Sequence, residues 1–249
     1  MTKTFNTDPV LILGGRSDIG LACAHAFAAL GHPIQLAARN AASLQGAVDD
    51  IILRYNVACT AHEFDVLATS DHEAFLDALP AAPEVVISVI GFMGEQEQSE
   101  TDFIAAGAVM RSNFEGPAHI LGACANRMEK AGHGTLVGVS SVAGDRGRAS
   151  NYVYGSAKAG FTAFLSGLRN RLAKTGVHVV TVKPGFVATQ MTAGLDLPEK
   201  LTAEPSEVAH AILRAVQRGH NIIYTRKIWR VIMAIIRNIP EAVFKKLSL

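Results

Sequence analysis

The stretch VLILGGRSDIG, residues 10–20, decides the fold. Four apolar residues followed by closely spaced glycines predict a buried strand that turns sharply into a helix. Glycines at such a turn let the backbone approach a pyrophosphate, whose charge is met by free amides at the helix N-terminus. The alternative for this segment alone is a tight turn without a ligand, because the pattern is neither GxGxxG nor a phosphate-binding loop ending in Gly-Lys-Ser.

Outward from that turn, short apolar runs alternate with longer helical patterns. The candidate strands are residues 10–13, 34–37, 58–64, 85–90, 135–139, 177–182 and 221–224, and the candidate helices lie near 19–30, 42–55, 70–79, 99–130, 152–174 and 205–218. This alternation requires right-handed crossovers and a parallel sheet covered on both faces. We predict a single-domain α/β Rossmann fold with a doubly wound seven-stranded parallel sheet, order 3-2-1-4-5-6-7. The nucleotide-binding catalytic part spans 1–225, and 226–249 form a C-terminal amphipathic helical extension of the same domain.

Composition excludes several classes of protein. Of the 249 residues, 49% are hydrophobic, and 23 basic residues balance 22 acidic ones, so neither disorder nor nucleic-acid binding is expected. Cys23, Cys59 and Cys124 lack CxxC spacing, and the histidines lack ligand-spaced clusters, so we expect no disulfide and no metal. The chain shows no signal-peptide pattern at its N-terminus and no apolar run long enough to span a bilayer. A cytoplasmic protein is predicted.

The end of the second candidate strand indicates the cofactor. Enzymes that use NAD carry an acid there for the ribose 2′-hydroxyl. Residues 36–40 contain no acid, whereas Arg39, together with Arg16, can bind a 2′-phosphate through charge-assisted hydrogen bonds. NADPH is therefore favoured over NADH. The alternative is that both arginines are ordinary solvated surface charges.

Catalytic chemistry is indicated by three residues of the fifth strand and the helix after it. Tyr154 and Lys158 are four residues apart and share one helical face, and Ser141 closes the strand. A free tyrosine titrates near 10, so we expect the Lys158 ammonium to lower the pKa of Tyr154 by about 3 units. Ser141 would donate a hydrogen bond to the substrate oxygen. Tyr-x-x-x-Lys alone also fits an amphipathic helix with a snorkelling lysine.

Over essentially its whole length the sequence resembles the short-chain dehydrogenase/reductase family. The resemblance rests on Gly14, Asp18, Ile19, Gly20, Asp65, Val66, Asn113, Ser141, Tyr154, Lys158, Pro184, Gly185 and Thr189. It implies that Asn113 organises a proton relay to Lys158, which also holds the nicotinamide ribose. It further implies that Asp65 and Val66 flank the adenine and that Thr189 with Val187 steadies the carboxamide. A dimer or tetramer through the helices near 99–130 and 152–174 is implied as well.

The predicted site therefore has two parts. The catalytic set is Asn113, Ser141, Tyr154 and Lys158. The predicted cofactor contacts are Gly14, Gly15, Arg16, Ser17, Asp18, Ile19, Gly20, Arg39, Asp65, Val66, Gly91, Tyr154, Lys158, Pro184, Gly185, Val187 and Thr189. Two segments depart from the family pattern: Asp18 replaces a usual second glycine, and residues 88–91 replace Asn-Asn-Ala-Gly. Because an aspartate facing a pyrophosphate would repel it, we expect Asp18 to cap the first helix instead.

More narrowly, the chain resembles the decaprenylphosphoryl-2-keto-ribose (erythro-pentofuranosid-2-ulose) reductase branch, which reduces a lipid-linked 2-keto-pentose to the arabinose form. The resemblance covers residues 13–20, 140–160 and especially 228–249. The tail from 226 mixes apolar residues with six basic ones and a single acid, Glu241. Such a helix can lie on an anionic membrane, which would place the protein peripherally on the inner face of the cytoplasmic membrane. The alternative is a tail packed over the pocket or in a subunit interface, with a break at Pro240 in either case.

The sequence therefore predicts an NADPH-dependent carbonyl reductase or alcohol dehydrogenase acting on a ketone or keto-sugar. Two other interpretations stay open. One is a soluble reductase of a small ketone or 3-oxoacyl substrate, because substrate pockets in this fold are built from variable loops. The other is a nucleotide-binding redox sensor without turnover, which the presence of all four catalytic residues disfavours.

Overall fold

A computed structural model describes residues 8–194 and 196–247. Its strands are β1 (Val10–Leu13), β2 (Ile34–Ala38), β3 (Cys59–Glu63), β4 (Val85–Ser88), β5 (Gly134–Val139), β6 (Val177–Pro184), β7 (Phe186–Val187), β8 (Thr202–Ala203) and β9 (Ile222–Thr225). Seven of them form one parallel sheet in the order β3-β2-β1-β4-β5-β6-β9, while β7 and β8 pair separately. The predicted Rossmann fold and strand order are confirmed, with β9 as the seventh strand of the sheet.

The helices cover both faces of that sheet. They are α1 (Asp18–Ala28), α2 (Gln45–Tyr55), α3 (His72–Asp77), α4 (Gln96–Thr101), α5 (Phe103–Met110), α6 (Gly116–Ala131), α7 (Tyr152–Arg171), α8 (Pro205–Arg218), α9 (Ile228–Asn238) and α10 (Glu241–Phe244). The single helix predicted near 99–130 is wrong, since that region contains α4, α5, a π-helical turn at Arg111–Glu115 and α6. Asp102 makes the first break: its backbone is extended and its carboxylate caps α5 by accepting from Ile104 N.

Two hydrophobic cores lie on opposite faces of the sheet. Successive side chains of a strand point to opposite sides, so Ile12 of β1 packs into one core and Leu11 and Leu13 into the other. All three side chains are fully buried. The unbroken apolar strands of the sequence are therefore explained by burial on both faces.

The strands place their carboxyl ends at one edge of the sheet. The residues that follow β1, β4, β5 and β6 are Gly14, Val89, Ser140 and Gly185, so the glycine turn and the Ser141 segment meet along this edge. Ligands of open α/β sheets bind at this edge. In the part of the chain that the structure describes, no helix combines the length and apolarity required to cross a membrane.

The C-terminal region is two short helices on the outside of β9. Trp229 and Met233 of α9 are buried against Val142, and Pro240 lies between α9 and α10. One face of the tail therefore packs on the domain. The last two residues of the predicted extension 226–249, Ser248 and Leu249, lie outside the described residues.

Candidate active site

Tyr154 and Lys158 lie on the first turns of α7. Lys158 Nζ is 5.8 Å from the centroid of the Tyr154 ring. The lysine side chain is almost fully buried, and its ammonium donates to the carbonyls of Val139 at 3.1 Å and Ile90 at 3.3 Å. Its backbone carbonyl accepts from Ser140 Oγ at 2.9 Å, which ties α7 to the end of β5. Lys158 thus sits between the ends of β4 and β5, and no acid among residues 8–194 and 196–247 pairs with it.

Ser141 faces the same tyrosine. Its backbone is extended at the end of β5, and its hydroxyl accepts from Ala143 N at 3.1 Å as it caps the short 3₁₀ helix Val142–Asp145. A side-chain hydrogen bond joins Ser141 to Tyr154. The two hydroxyls are therefore placed side by side, as donation to one shared oxygen would require.

Asn113 lies in the π-helical turn and is completely buried. Its side-chain amide donates to Val109 O at 2.8 Å and to Phe92 O, and its carbonyl accepts from Phe92 N at 3.2 Å. A Cβ atom on Gly91 would lie 3.4 Å from Asn113 Oδ1 and 3.7 Å from Lys158 Nζ. Asn113 therefore fixes the loop after β4 against Lys158, although no direct hydrogen bond joins the two side chains.

Burial controls the protonation of the Tyr154–Lys158 pair. It raises the pKa of Tyr154 to about 12, against a smaller lowering effect of the Ser141 hydrogen bond. It lowers the pKa of Lys158 to about 7. The predicted fall in the pKa of Tyr154 is therefore wrong for the protein alone, because the burial that brings the two groups together disfavours the charged form of each.

The glycine turn between β1 and α1 is closed by Ser17. Its hydroxyl accepts from Gly20 N at 3.1 Å and donates to Gly14 O at 2.8 Å. Gly14 has a φ of 92°, and a Cβ on Gly20 would lie 2.5 Å from Gly14 O, so both positions require glycine. Of the predicted cofactor contacts, Gly14 and Gly15 lie in this turn, and Ile19 and Gly20 lie in the first turn of α1.

Asp18 does not cap α1, so that prediction is wrong. Ser17 already occupies the capping position one residue earlier. The Asp18 carboxylate instead accepts from Gln190 N at 2.8 Å, in the segment that follows β7. The Asp18 carboxylate is thus held by that segment. The repulsion expected between Asp18 and a pyrophosphate at the turn is therefore reduced.

Two positive side chains lie beside the end of β2, where a 2′-phosphate is predicted to bind. Arg16 and Arg39 are exposed, and Arg16 Nη1 donates to Arg39 O at 3.3 Å. Within the described residues neither arginine forms an ion pair. The nearby acid Glu63 accepts hydrogen bonds from Asn40 N and Ala41 N at 2.9 and 2.8 Å.

The predicted contacts Asp65 and Val66 lie in the loop after β3. Asp65 accepts from Leu67 N, and Val66 is buried beside Gly116, so both residues hold this loop in place.

Pro184, Gly185, Val187 and Thr189 lie at the end of β6 and in the segment that follows it. A Cβ on Gly185 would overlap the indole of Trp229, whose Nε1 donates to Leu201 O at 3.0 Å. Val187 pairs with Ala203 in the small sheet, and Thr189 donates its N–H to the Thr192 hydroxyl at 3.1 Å. Sequence reasoning missed Trp229 and Gln190 as supports of this segment, because they act through contacts distant along the chain.

Comparison with known proteins agrees with this geometry. The family described as short chain dehydrogenase matches residues 8–200. The chain belongs to this short-chain dehydrogenase family. Its relatives include an uncharacterised oxidoreductase of Mycobacterium tuberculosis, 36% identical over 96% of each chain. Another is an uncharacterised oxidoreductase of Streptomyces coelicolor, 36% identical over 96% of this chain and 95% of that one. The predicted family and oxidoreductase class are confirmed.

Solved structures share the fold of this short-chain dehydrogenase. A short-chain dehydrogenase from Sphingobium yanoikuyae in complex with NADPH superposes with a TM-score of 0.81, at 24% identity and covering 94% of this chain and 97% of that one. A bulky-bulky ketone specific alcohol dehydrogenase from Comamonas testosteroni gives a TM-score of 0.79 at 20% identity, covering 96% and 97%. At these identities the likeness concerns the fold.

Proposed function

We propose that this short-chain dehydrogenase is an NADPH-dependent carbonyl reductase in which Tyr154 protonates the substrate oxygen. The observation that carries the proposal is a buried lysine to which the described structure gives only carbonyl acceptors, 5.8 Å from the ring of Tyr154, which is itself hydrogen-bonded to Ser141. A lysine whose pKa is about 7 can both give and take a proton near neutral pH. Lys158 therefore suits the task of restoring the proton that Tyr154 loses.

The cofactor assignment is supported by the glycine turn and by Arg16 and Arg39, for which the described residues provide no acidic partner. A pyrophosphate would lie against the turn at Gly14–Gly20, and Arg39 with Arg16 would hold a 2′-phosphate. Asp65 and Val66 would border the adenine, while Gly91, Pro184, Gly185, Val187 and Thr189 would border the nicotinamide. Bound NADPH would supply the hydride. The solved Sphingobium relative carries NADPH, which agrees with this assignment.

During the reduction the protein's own groups would act on the carbonyl oxygen. Ser141 donates a hydrogen bond where negative charge develops, and Tyr154 delivers the proton. Asn113 keeps the loop after β4 in place beside Lys158, so the ammonium stays within reach of the cleft. A tyrosine with a raised pKa is protonated at neutral pH, as a proton donor must be.

For the substrate we propose a lipid-linked 2-keto-pentose, which would bring the protein to a membrane surface. The support is α9, whose outer face exposes Ile228, Val231 and Ile235 at 47, 56 and 63%. These residues form one stripe opposite the buried Trp229 and Met233, among the basic side chains of the tail. A soluble small-ketone or 3-oxoacyl reductase is the alternative, in which this stripe has no lipid to meet.

A turnover screen tests the proposal. NADPH and NADH are compared against simple ketones, a 3-oxoacyl thioester and a polyprenyl-phosphate keto-pentose. We expect turnover with NADPH, and we expect Arg39→Asp to lower kcat/KM for NADPH by about 10- to 100-fold, as loss of hydrogen bonds to a charged group does. Absence of turnover with every ketone contradicts the proposed function.

Membrane contact is tested separately by flotation with phosphatidylglycerol vesicles. The double variant Val231→Gln/Ile235→Gln is expected to lose co-flotation. Leu53→Gln is the matched control, because Leu53 is 85% exposed on α2, away from the tail. Wild-type protein that stays with the soluble fraction refutes the membrane part while leaving the reductase intact.

A homodimer or homotetramer is proposed through the helices between residues 96 and 171. Phe103 and Ile104 on α5 are 86 and 87% exposed, which is unusual for large apolar side chains. Light scattering after gel filtration checks this assembly. A monomer in both the wild type and Phe103→Ser contradicts it.

A further inference from the structure

A small cavity lies between the segment that follows Ser141 and the C-terminal helix α10. Its volume is about 100 Å³, and it is lined by Arg148, Ala149, Phe244, Lys245 and Leu247. Arg148 O accepts from Asn151 N at 3.1 Å, so Arg148 lies just before the start of α7, the helix that carries Tyr154. The cavity is thus built partly from the chain that links Ser141 to Tyr154.

Arg148 carries an unmet charge. Its Nε atom is buried without a hydrogen-bond partner, and within the described residues the side chain forms no ion pair. Burial lowers the pKa of Arg148, because reduced hydration disfavours the charged form of the guanidinium. Burying a charge without a partner is costly, so an anion in the cavity would remove a penalty that the folded chain already carries.

Two other cations of this region, Arg146 and Lys183, already have acidic partners. Arg146 pairs with Glu241 at 2.9 Å and donates to the carbonyls that end α9, including Ile239 O at 2.6 Å. Lys183 pairs with Asp145. Lys245 forms no ion pair within the described residues. The nearby acids are thus committed elsewhere, and Arg148 with Lys245 leaves an excess of positive charge at the cavity.

We propose that this cavity binds a phosphate group of the substrate. A guanidinium presents paired N–H donors that match two phosphate oxygens, and a lysine adds a point charge. A space of about 100 Å³ exceeds that needed by one water molecule several-fold, which suits a phosphate. Phe244 and Leu247 provide an apolar edge for the group attached to the phosphate. The assignment rests on the proposed reductase function and names the residues that would hold the phosphate of its substrate.

Kinetics with two matched ketones test the site. One substrate is a keto-pentose phosphate and the other is the same keto-pentose without phosphate. We expect Arg148→Gln to lower kcat/KM for the phosphorylated ketone about 10- to 100-fold, mainly through KM, and to leave the neutral ketone unchanged. Arg148→Lys should recover part of the lost kcat/KM, because lysine keeps the positive charge but lacks the paired N–H donors of the guanidinium.

Lys245 has a matched control in its neighbour. Lys245→Gln should lower kcat/KM for the phosphorylated ketone and leave kcat/KM for the neutral ketone unchanged. Lys246 does not line the cavity, so Lys246→Gln should behave as wild type. Equal losses on both ketones in Arg148→Gln would show that the arginine supports the fold rather than the phosphate. If Lys245→Gln and Lys246→Gln have equal effects, the phosphorylated ketone responds to the general positive charge of the tail, and the role proposed for Lys245 is contradicted.

Binding is measured independently of turnover by thermal unfolding with inorganic phosphate and no cofactor. At ten times its Kd, phosphate should raise Tm by about 3 to 5 °C. The rise should persist in Arg39→Gln, which alters the predicted cofactor cleft, and disappear in Arg148→Gln. The reverse pattern, or no rise in either, overturns the proposal. If phosphate raises Tm only when Arg148 is present but the protein reduces no ketone, the phosphate site is supported and the reductase function is contradicted.

The source of the phosphate is identified with two inhibitors. One is soluble pentose 5-phosphate, and the other is polyprenyl phosphate in phosphatidylcholine vesicles. If one of the two compounds inhibits the wild type but not Arg148→Gln, the result supports the site and identifies the kind of phosphate that binds there. Inhibition by both that is unchanged in Arg148→Gln overturns the assignment.

Discussion

Two tyrosine–lysine pairs in this protein have nearly the same separation and different surroundings. Lys158 Nζ is 5.8 Å from the Tyr154 ring centroid, and Lys183 Nζ is 5.6 Å from that of Tyr224. Both lysines are almost fully buried. The difference lies in the third group, which is the hydroxyl of Ser141 in the first pair and the carboxylate of Asp145 in the second.

The comparison teaches what a carboxylate does to such a pair. Asp145 accepts from both Lys183 and Tyr224, so it neutralises the buried ammonium and holds the phenol as a donor. The pKa of Tyr224 rises to about 12 through burial and through Asp145. Lys158 has only carbonyl acceptors within the described structure, and its pKa falls to about 7. The paired lysine is suited to structure, and the unpaired one to proton exchange.

The largest expected difference between the pairs is in turnover. Tyr154→Phe removes the proposed proton donor and should lower kcat by about 10²- to 10⁴-fold, the usual contribution of general acid catalysis. Tyr224→Phe removes a phenol that contacts Asp145 and should leave kcat close to the wild-type value. Steady-state kinetics on the best ketone of the screen gives both values, and NADPH fluorescence checks that each variant still binds the cofactor. Similar losses in both variants would show that the catalytic role is not specific to Tyr154.

The sequence predicted the first pair and not the second. Tyr154 and Lys158 are one helical turn apart, so spacing alone brings them together. Asp145 ends the 3₁₀ helix after Ser141, while Lys183 and Tyr224 lie on β6 and β9, 38 and 79 residues further along the chain. Their meeting depends on β6 and β9 being neighbours at the sheet edge, which local patterns do not encode.

The fold was predictable for a related reason. Apolar runs buried on both faces identify the strands of the sheet, and glycine-rich turns mark where they end. The division of 96–131 into several helices was missed because Asp102 breaks a pattern that is otherwise helical. The contact of Asp18 with Gln190, 172 residues away, was missed because an aspartate at a helix start fits a capping role equally well. Likewise, the direction of the pKa shift of Tyr154 depends on burial, which spacing does not reveal.

A smaller effect is expected from breaking the second pair. Asp145→Asn leaves the Lys183 ammonium buried without its counter-charge, which should cost about 3 to 5 kcal/mol of unfolding free energy. The double variant Asp145→Asn/Lys183→Met removes the uncompensated charge and should regain a large part of that loss. Urea unfolding at pH 7 measures the three proteins. A double variant no more stable than Asp145→Asn would mean that the ion pair does not hold this region.

The smallest expected effect is a pH dependence of stability that belongs to Lys158. The pKa of Lys158 is about 7 in the folded protein, below its ordinary value of 10.5, because burial disfavours the ammonium. The unfolded chain therefore holds this proton over a pH range in which the folded chain has released it, so raising the pH from 7 towards 10.5 favours folding. Between pH 7 and 9 the wild type should gain about 2 kcal/mol relative to Lys158→Met, which has no such proton. Comparing urea midpoints of the two proteins at each pH cancels the titration of the buried cysteines, which both retain. A constant difference across this range would mean that Lys158 keeps its proton when folded, and the contrast with the ion-paired Lys183 would then have no electrostatic basis.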